Sequence, residues 1–298
     1  MKKIFFSFII TFIILCSFLF PQAAVAASKQ GIITWFEQIL PALLPFTILS
    51  GILLRSRFME SFGAGSNLLT IILTLVCGFI FGFPVGAKLA SDFYSRSLLS
   101  KRQAIILCVT ANNFSMMYVF GFVIPTLFRE KTVDNISYII LYALPLLISI
   151  LSLLTWGRKN TDDIQKNTAS RFQLDMQIVD AGIISGFESL IKICGYIVIF
   201  SLASRMLFLL WQNTSIPALL LMGNLEITNG ITLLSQSQLP SEELRYLIMV
   251  QFLSFGGLSG IAQTASIMKP SGLPVKDYVI GKMILTLLLL IVCFNIYH

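Results

Sequence analysis

Apolar residues run through this chain in blocks, at 4–20, 39–54, 68–81, 103–125, 137–156, 190–210, 217–235, 241–268 and 279–297, with short polar stretches between them. A helix needs about 20 apolar residues to cross a hydrocarbon core, and several blocks are that long. The pattern predicts an all-α polytopic membrane protein. Two blocks are interrupted at matching places, 141 residues apart. The first interruption reads Phe81-Gly82-Phe83-Pro84-Val85-Gly86-Ala87-Lys88, and the second Met222-Gly223-Asn224-Leu225-Glu226-Ile227-Thr228-Asn229-Gly230. Gly82 pairs with Gly223, Ser100 with Ser241 and Phe114 with Phe255 at the same spacing. Pro84 removes a backbone donor and the glycines admit unusual dihedrals, so a continuous helix is not expected through the first stretch. Apolar segments broken by Gly or Pro at corresponding places in two halves point to the binding site of a transporter.

Charge orients the blocks. Lys2 and Lys3, the block 4–20 and Ala24-Val25-Ala26 have the layout of a secretory signal peptide or of a retained first span. Either way, the following residues begin outside. An amphipathic approach at Trp35-Phe36-Glu37 leads into 39–54, which ends at Arg55 and Arg57. A re-entrant hairpin over 68–96 returns Arg96, Lys101 and Arg102 to the side of Arg55, whereas a full crossing strands them outside. With the hairpin, thirteen basic residues lie inside: Lys2, Lys3, Arg55, Arg57, Arg96, Lys101, Arg102, Arg158, Lys159, Lys166, Arg171, Lys269 and Lys276. Four lie outside: Lys29, Arg129, Lys131 and Arg245. The expected organisation is a signal peptide or anchor at 1–28, a first repeat at 29–157, a cytoplasmic linker at 158–177 and a second, inverted repeat at 178–298. That is an inverted-repeat transporter fold, in which two broken or re-entrant helical hairpins face each other near the bilayer midplane. Unpaired backbone is tolerated there only when buried in protein or lining a polar cavity.

Composition agrees with the membrane reading. The 298 residues are 56% hydrophobic and only 12% charged, with a mean hydropathy of +0.85. The net charge of +7 sits in short clusters beside apolar blocks, as cytoplasmic flanks do, and no nucleic-acid partner is expected. The five cysteines are scattered inside apolar blocks and read as small packing residues. The single histidine is His298, which removes a histidine-based triad or zinc site from consideration. Gly82–Lys88 does not have the spacing or the following Ser or Thr of a phosphate-binding loop. No enzyme activity, metal or cofactor is expected.

The candidate chemistry lies at the breaks. A charge at the bilayer centre costs about 2.5–3.5 kcal/mol on an insertion scale, so such residues mark pathways or pairs. Lys88, with the half-helix beginning near Gly86, suits an anionic group through charge and dipole together. Glu226 would orient the solute, pair with Lys88 or carry a coupling proton. The plainer alternative has both side chains reaching to the membrane faces. Asn112, Asn113 and Ser115 interrupt another apolar block, and the equivalent stretch is Ser254-Phe255-Gly256-Gly257-Leu258-Ser259-Gly260, followed by Gln263 and Thr264. These offer donors and acceptors to a ligand, or alternatively interhelical hydrogen bonds and close packing. The candidate solute-binding set is therefore Gly82, Pro84, Gly86, Lys88, Asn112, Asn113, Ser115, Glu226, Thr228, Asn229, Gly256, Gly257, Ser259 and Gln263. Glu188, Lys192, Arg205 and Lys282 fall near block ends and read as interfacial.

The segments at 35–46 (WFEQILPALLPF), 82–88 (GFPVGAK), 110–115 (TANNFS), 225–230 (LEITNG) and 254–259 (SFGGLS) resemble the YlbJ-type sporulation integral membrane proteins. These belong to the nucleoside-recognition, or Gate-domain, superfamily related to concentrative nucleoside transporters. The resemblance runs from about residue 30 to the C-terminus. It implies a carrier fold with paired hairpins and, as the family role, movement of dipicolinate across the outer forespore membrane during sporulation.

The expected function is that of a permease for a small polar, anionic solute such as dipicolinate or another organic anion, working by alternating access in a bacterial cytoplasmic or forespore membrane. The rival readings are a non-transporting membrane scaffold in envelope or spore formation and a subunit of a channel assembly. The expected partners are the solute, the lipid bilayer, and either further copies of the chain or other membrane subunits.

Overall fold

The computed structural model describes residues 2–56, 67–128, 135–156, 173–211 and 215–297. Arg57, Arg129, Lys131 and most of the expected linker, including Arg158, Lys159, Lys166 and Arg171, lie outside the described residues. There is no strand among the described residues. The protein is an all-α polytopic membrane protein.

Helix α1 (Lys2–Leu19) gives way at Phe20 to α2 (Pro21–Thr34), with Pro21 at a first-turn position where its missing N–H costs nothing. The two apolar pieces are bent by 114°. A π turn, Trp35–Ile39, carries α2 directly into α3 (Leu40–Arg55). Pro41 and Pro45 cannot donate to carbonyls four residues back, and a widened turn just before such positions absorbs the mismatch. After α4 (Asn67–Phe81), the Gly82-Phe83-Pro84 break leads into α5 (Val85–Ser95). Helix α6 (Lys101–Thr110) starts from a capping box: Gln103 N donates to Ser100 Oγ at 3.3 Å, and Ser100 N donates to Gln103 Oε1 at 2.9 Å. The chain is unwound over 111–115 and resumes as α7 (Met116–Phe128), which carries its own π turn ahead of Pro125. Then come α8 (Asn135–Trp156) and α9 (Met176–Trp211). A second broken pair, α10 (Ile216–Leu225) and α11 (Ile227–Gln236), parts at Glu226. Helix α12 (Glu242–Phe255) is N-capped by Ser241 and ends at Gly256, and α13 (Gly257–Met268) and α14 (Val275–Tyr297) complete the chain.

Among the described residues, three helical stretches are long and apolar enough to cross a membrane: Met176–Leu210, Glu242–Ser271 and Val275–Ile296. The bent pair formed by α1 and α2 makes a fourth if it counts as one span. Exposed Ile139, Leu147, Leu151, Ile284 and Leu287 on α8 and α14 form an apolar outer surface suited to lipid.

Two packing units result. In the first, α2 and α3 lie antiparallel against α9, with Gly31 against Val198, Gly51 against Gly182 and Gly186 against Ile48. A Cβ on Gly51 would lie 3.0 Å from the Gly182 carbonyl oxygen, so small residues set how closely these helices approach. Trp35 Nε1 donates to the Leu190 carbonyl at 2.9 Å, beside a cluster of Leu43, Leu190, Ile193 and Ile197. Helix α9 has 36 residues, about 54 Å at 1.5 Å per residue, well beyond a 30 Å hydrocarbon core. The second unit is one large apolar core that draws on Leu107 of α6, Val123 of α7, Ile231 of α11, Phe252 of α12 and Leu285 of α14. Residues of both expected repeats share it.

Three expectations from the apolar blocks are revised. The block at 190–210 is only the second part of α9, because Asp180, Glu188 and Lys192 are carried on the same helix. The blocks 103–125 and 241–268 are each two helices, broken at 111–115 and at Gly256. The 141-residue spacing has a structural counterpart. Ser100 and Ser241 are both N-caps, and Ser115 and Gly256 both stand at the start of a resumed helix.

Candidate functional site at the meeting of four helix breaks

The first broken pair closes on the unwound segment. Gly82 is left-handed, with φ +71°, and Ser115 N stands where its Cβ would be. Gly78 of α4 and Gly86 of α5 both approach the Ala111 carbonyl so closely that neither has room for a side chain. Backbone unwound inside a membrane protein must find partners, and here three consecutive carbonyls do so. The Asn112 carbonyl accepts from Lys282 Nζ at 2.8 Å. The Asn113 carbonyl accepts from Phe83 N at 2.6 Å, and the Phe114 carbonyl from the Tyr142 hydroxyl at 3.1 Å. The segment is thus tied to α14, to the first break and to α8. Ser115 then caps α7 by accepting from Tyr118 N at 3.2 Å.

The second broken pair is held differently. Gly230 lies against Gly223, and Phe252 fills the space a Gly223 side chain would take, so α10 and α11 fold back on each other. At the break, the Glu226 carboxylate accepts from Thr228 N at 3.1 Å and from Asn229 N at 2.8 Å. Glu226 is 4% exposed. Its charge is met by two backbone donors and the positive end of α11, which is how a carboxylate is kept in so dry a place. Glu226 therefore fills the anion position at this helix start, and no side chain caps the corresponding start of α5. The fourth break rests on the second. Gly256 and Gly257 have φ of +86° and +63°, and a Cβ on Gly257 would lie 3.2 Å from the Asn224 carbonyl oxygen.

All four breaks border one cavity of about 70 Å³. Its polar wall comprises Ser115, Glu226, Thr228, Ser259 and Gln263, with the backbone of Gly256 and Gly260 between them. Phe83, Phe114 and Tyr118 form an aromatic side, their rings stacked with centroids 5.9 and 5.1 Å apart. Tyr118 Oη and Thr228 Oγ1 lie 3.3 Å apart and bridge the third break to the second. The opposite wall is apolar and belongs to the other packing unit: Ile39, Leu43, Ile193 and Ile197. The cavity lies between the unit of α2, α3 and α9 and the core that carries the breaks. Gln263 Nε2 donates to Ser259 Oγ at 3.0 Å, while Gln263 Oε1 is buried with no protein partner.

The candidate residues are distributed as follows. Ser115, Glu226, Thr228, Gly256, Ser259 and Gln263 line the cavity, and Gly82, Pro84 and Gly257 shape the turns beside it. Gly86 serves the close approach to Ala111. Asn112 and Asn113 turn away from the cavity. Asn112 Nδ2 donates to Thr264 Oγ1 at 3.1 Å and to the Tyr278 hydroxyl at 3.3 Å, and Asn113 Nδ2 to the Thr110 carbonyl at 2.6 Å. Lys88 is also elsewhere. Its buried Nζ has no hydrogen-bond partner and sits among Asp92, Arg55, Lys192 and Glu188, where α3, α5 and α9 meet. Among the described residues no cationic side chain lines the central cavity, and Lys88 and Glu226 do not meet in it. Asn229 faces a second cavity, behind α11.

Lys282 departs most from the sequence expectation. It is 1% exposed and donates to Asn113 Oδ1 at 3.1 Å as well as to the Asn112 carbonyl. Helix α14 starts at Val275, ahead of the apolar block, and this places Lys282 two turns into the helix. The available signal was the adjacent Asn pair, since an interrupted helix leaves carbonyls that a distant donor must satisfy.

No family model matches the chain, and no solved structure matches it. It is similar to the sporulation integral membrane protein YlbJ of Bacillus subtilis (strain 168), with 26% identity in an alignment covering 89% of this chain and 75% of that protein. The likeness spans nearly all of the fold described above and supports placing the chain in the YlbJ-type family of integral membrane proteins.

Proposed function

We propose that the chain is a carrier for a small polar solute with anionic character, and that the solute passes through the cavity bordered by the four breaks. The observation that carries this reading is the position of that cavity. Interrupted helices from both halves of the chain surround it on one side, and Ile39 of the π turn with Leu43 of α3 and Ile193 and Ile197 of α9 close it on the other. A site between two packing units is exposed alternately when one rocks against the other. In this reading 29–157 and 178–298 are inverted repeats, and the 141-residue spacing of caps and breaks is their trace. The stacked rings of Phe83, Phe114 and Tyr118 suit a planar solute, and the hydroxyls of Ser115, Tyr118, Thr228 and Ser259 are donors for its oxygens. Dipicolinate combines a planar ring with two carboxylates and is the first solute to test. The membrane would be the bacterial cytoplasmic or the forespore membrane, and the reading requires no cofactor and no enzymatic step.

The test is uptake of radiolabelled dipicolinate into proteoliposomes by the parent and by Ser259→Leu. Leucine at this buried position adds bulk to the cavity wall. At equal amounts of folded protein, the expected result is saturable uptake by the parent and a marked loss in the variant, whose added side chain takes up space the solute needs. Uptake no faster than in protein-free vesicles, from folded parent protein, would reject dipicolinate as the solute.

A further inference from the structure

Among the described residues the central cavity has a carboxylate and no cationic side chain in its wall, yet an anionic solute needs a counter-charge along its path, since a buried unpaired charge costs several kcal/mol. A second cavity, of about 310 Å³, lies between α2, α9 and α11 and supplies one. Arg205 of α9 lines it together with Gln30, Ser201, Asn229, Thr232 and Gln236, and among the described residues no acidic side chain is in its wall. The Arg205 guanidinium carbon lies 5.3 Å from the Phe208 ring centroid, a contact that holds the planar group on an apolar face. Ser201 is 1% exposed, and its hydroxyl has no protein partner.

The two cavities share the first turn of α11. Thr228 faces the central cavity, Asn229 faces this one, and both backbone N–H groups hold Glu226. The 141-residue spacing also places Lys88 at the position in the first half that Asn229 holds in the second.

We propose that the cavity between α2, α9 and α11 is a carboxylate-binding antechamber. Arg205 holds a carboxylate of the solute through its paired N–H groups, and the Ser201 hydroxyl and the Asn229 amide donate to the remaining oxygens. The proposal rests on the carrier reading for its place on the solute path, but the site itself is testable by binding alone.

The full chain would carry a Gln236→Cys reporter at the exposed rim, in a background where the half-buried Cys77 and Cys194 are serine. The reporter would be labelled in reconstituted vesicles with a water-soluble thiosulfonate. Dipicolinate is expected to slow labelling several-fold, and the uncharged pyridine-2,6-dicarboxamide is expected not to. Arg205→Met should abolish the protection, while Arg205→Lys, which keeps the charge but loses the fork, should retain part of it. Protection should persist in Ser259→Leu, whose uptake is blocked further along. Equal labelling with and without dipicolinate, or full protection surviving in Arg205→Met, would overturn the site. Protection without any uptake would leave the site standing and reject dipicolinate as the carried solute; normal uptake without protection would overturn the site and leave the carrier reading standing.

Discussion

Gly82→Ala is expected to prevent the protein from folding to a stable, monodisperse form. Gly82 has φ +71°, a region that costs an L-residue about 1 kcal/mol or more. The larger effect is steric. The added Cβ falls on the Ser115 backbone nitrogen and would lie 2.7 Å from Ser115 Cα, and neither atom can rotate away as a side chain could. Relief requires the first broken pair to withdraw from the unwound segment, which breaks the Phe83 N to Asn113 carbonyl bond and exposes backbone where lipid offers no partner. A combined loss above about 4 kcal/mol places this among the exceptional single substitutions. Size-exclusion profile and thermal unfolding in detergent measure it. Gly121→Ala is the control, since a Cβ there meets nothing within 4 Å. A Gly82→Ala protein as stable as the Gly121→Ala control would mean that the hairpin does not pack as described.

The second large effect concerns Glu226. Substitution by Ala removes the acceptor for both Thr228 N and Asn229 N and the charge facing the start of α11. Each buried donor left unpaired costs about 1–3 kcal/mol, and the charge–dipole contribution adds about 0.3–1 kcal/mol. Gln keeps one acceptor oxygen but turns an NH₂ toward the other donor, so it loses part of the same interaction. Asp retains both the charge and a strong capping group. The expected order of initial uptake rates, at equal amounts of folded protein, is parent, then Asp, then Gln, then Ala. If 2–3 kcal/mol of the loss falls on the transport cycle, Ala is reduced by about one to two orders of magnitude. Uptake by Glu226→Ala at the parental rate would show that the start of α11 has no part in transport.

The interruptions at 81–88 and 222–230 were legible because they are local: Gly82 and Pro84 disturb a helix through their own backbone, whatever packs nearby. The breaks at 111–115 and Gly256 were not, because Asn112-Asn113 and Gly256-Gly257 also read as hydrogen-bonding and close-packing residues within single blocks. The 141-residue spacing of Ser100 and Ser241 was legible, but their role as N-caps comes from the structure. The full extent of α9 was not legible, because Asp180, Glu188 and Lys192 look like the end of an apolar block when no neighbouring helix is in view. The division of labour at the site was also hidden. Thr228 and Asn229 are adjacent in sequence, but successive helical residues point about 100° apart, so they face different cavities. Phe83, Phe114 and Tyr118 look like ordinary members of apolar blocks until the fold stacks their rings. Lys282 reaches partners about 170 residues earlier in the chain, a distance that no local pattern spans.

Solute counterflow tests the central claim most directly. Proteoliposomes loaded with unlabelled dipicolinate would be diluted into a trace of the labelled compound, with unloaded vesicles in parallel. A carrier whose site faces the two sides in turn returns faster when occupied, so labelled dipicolinate should enter the loaded vesicles faster and accumulate transiently above its external concentration. Identical uptake in loaded and unloaded vesicles, following the gradient alone, would point to a channel-like pore. No labelled solute in either, with folded parent protein, would contradict transport of this compound through the cavity between the broken helices.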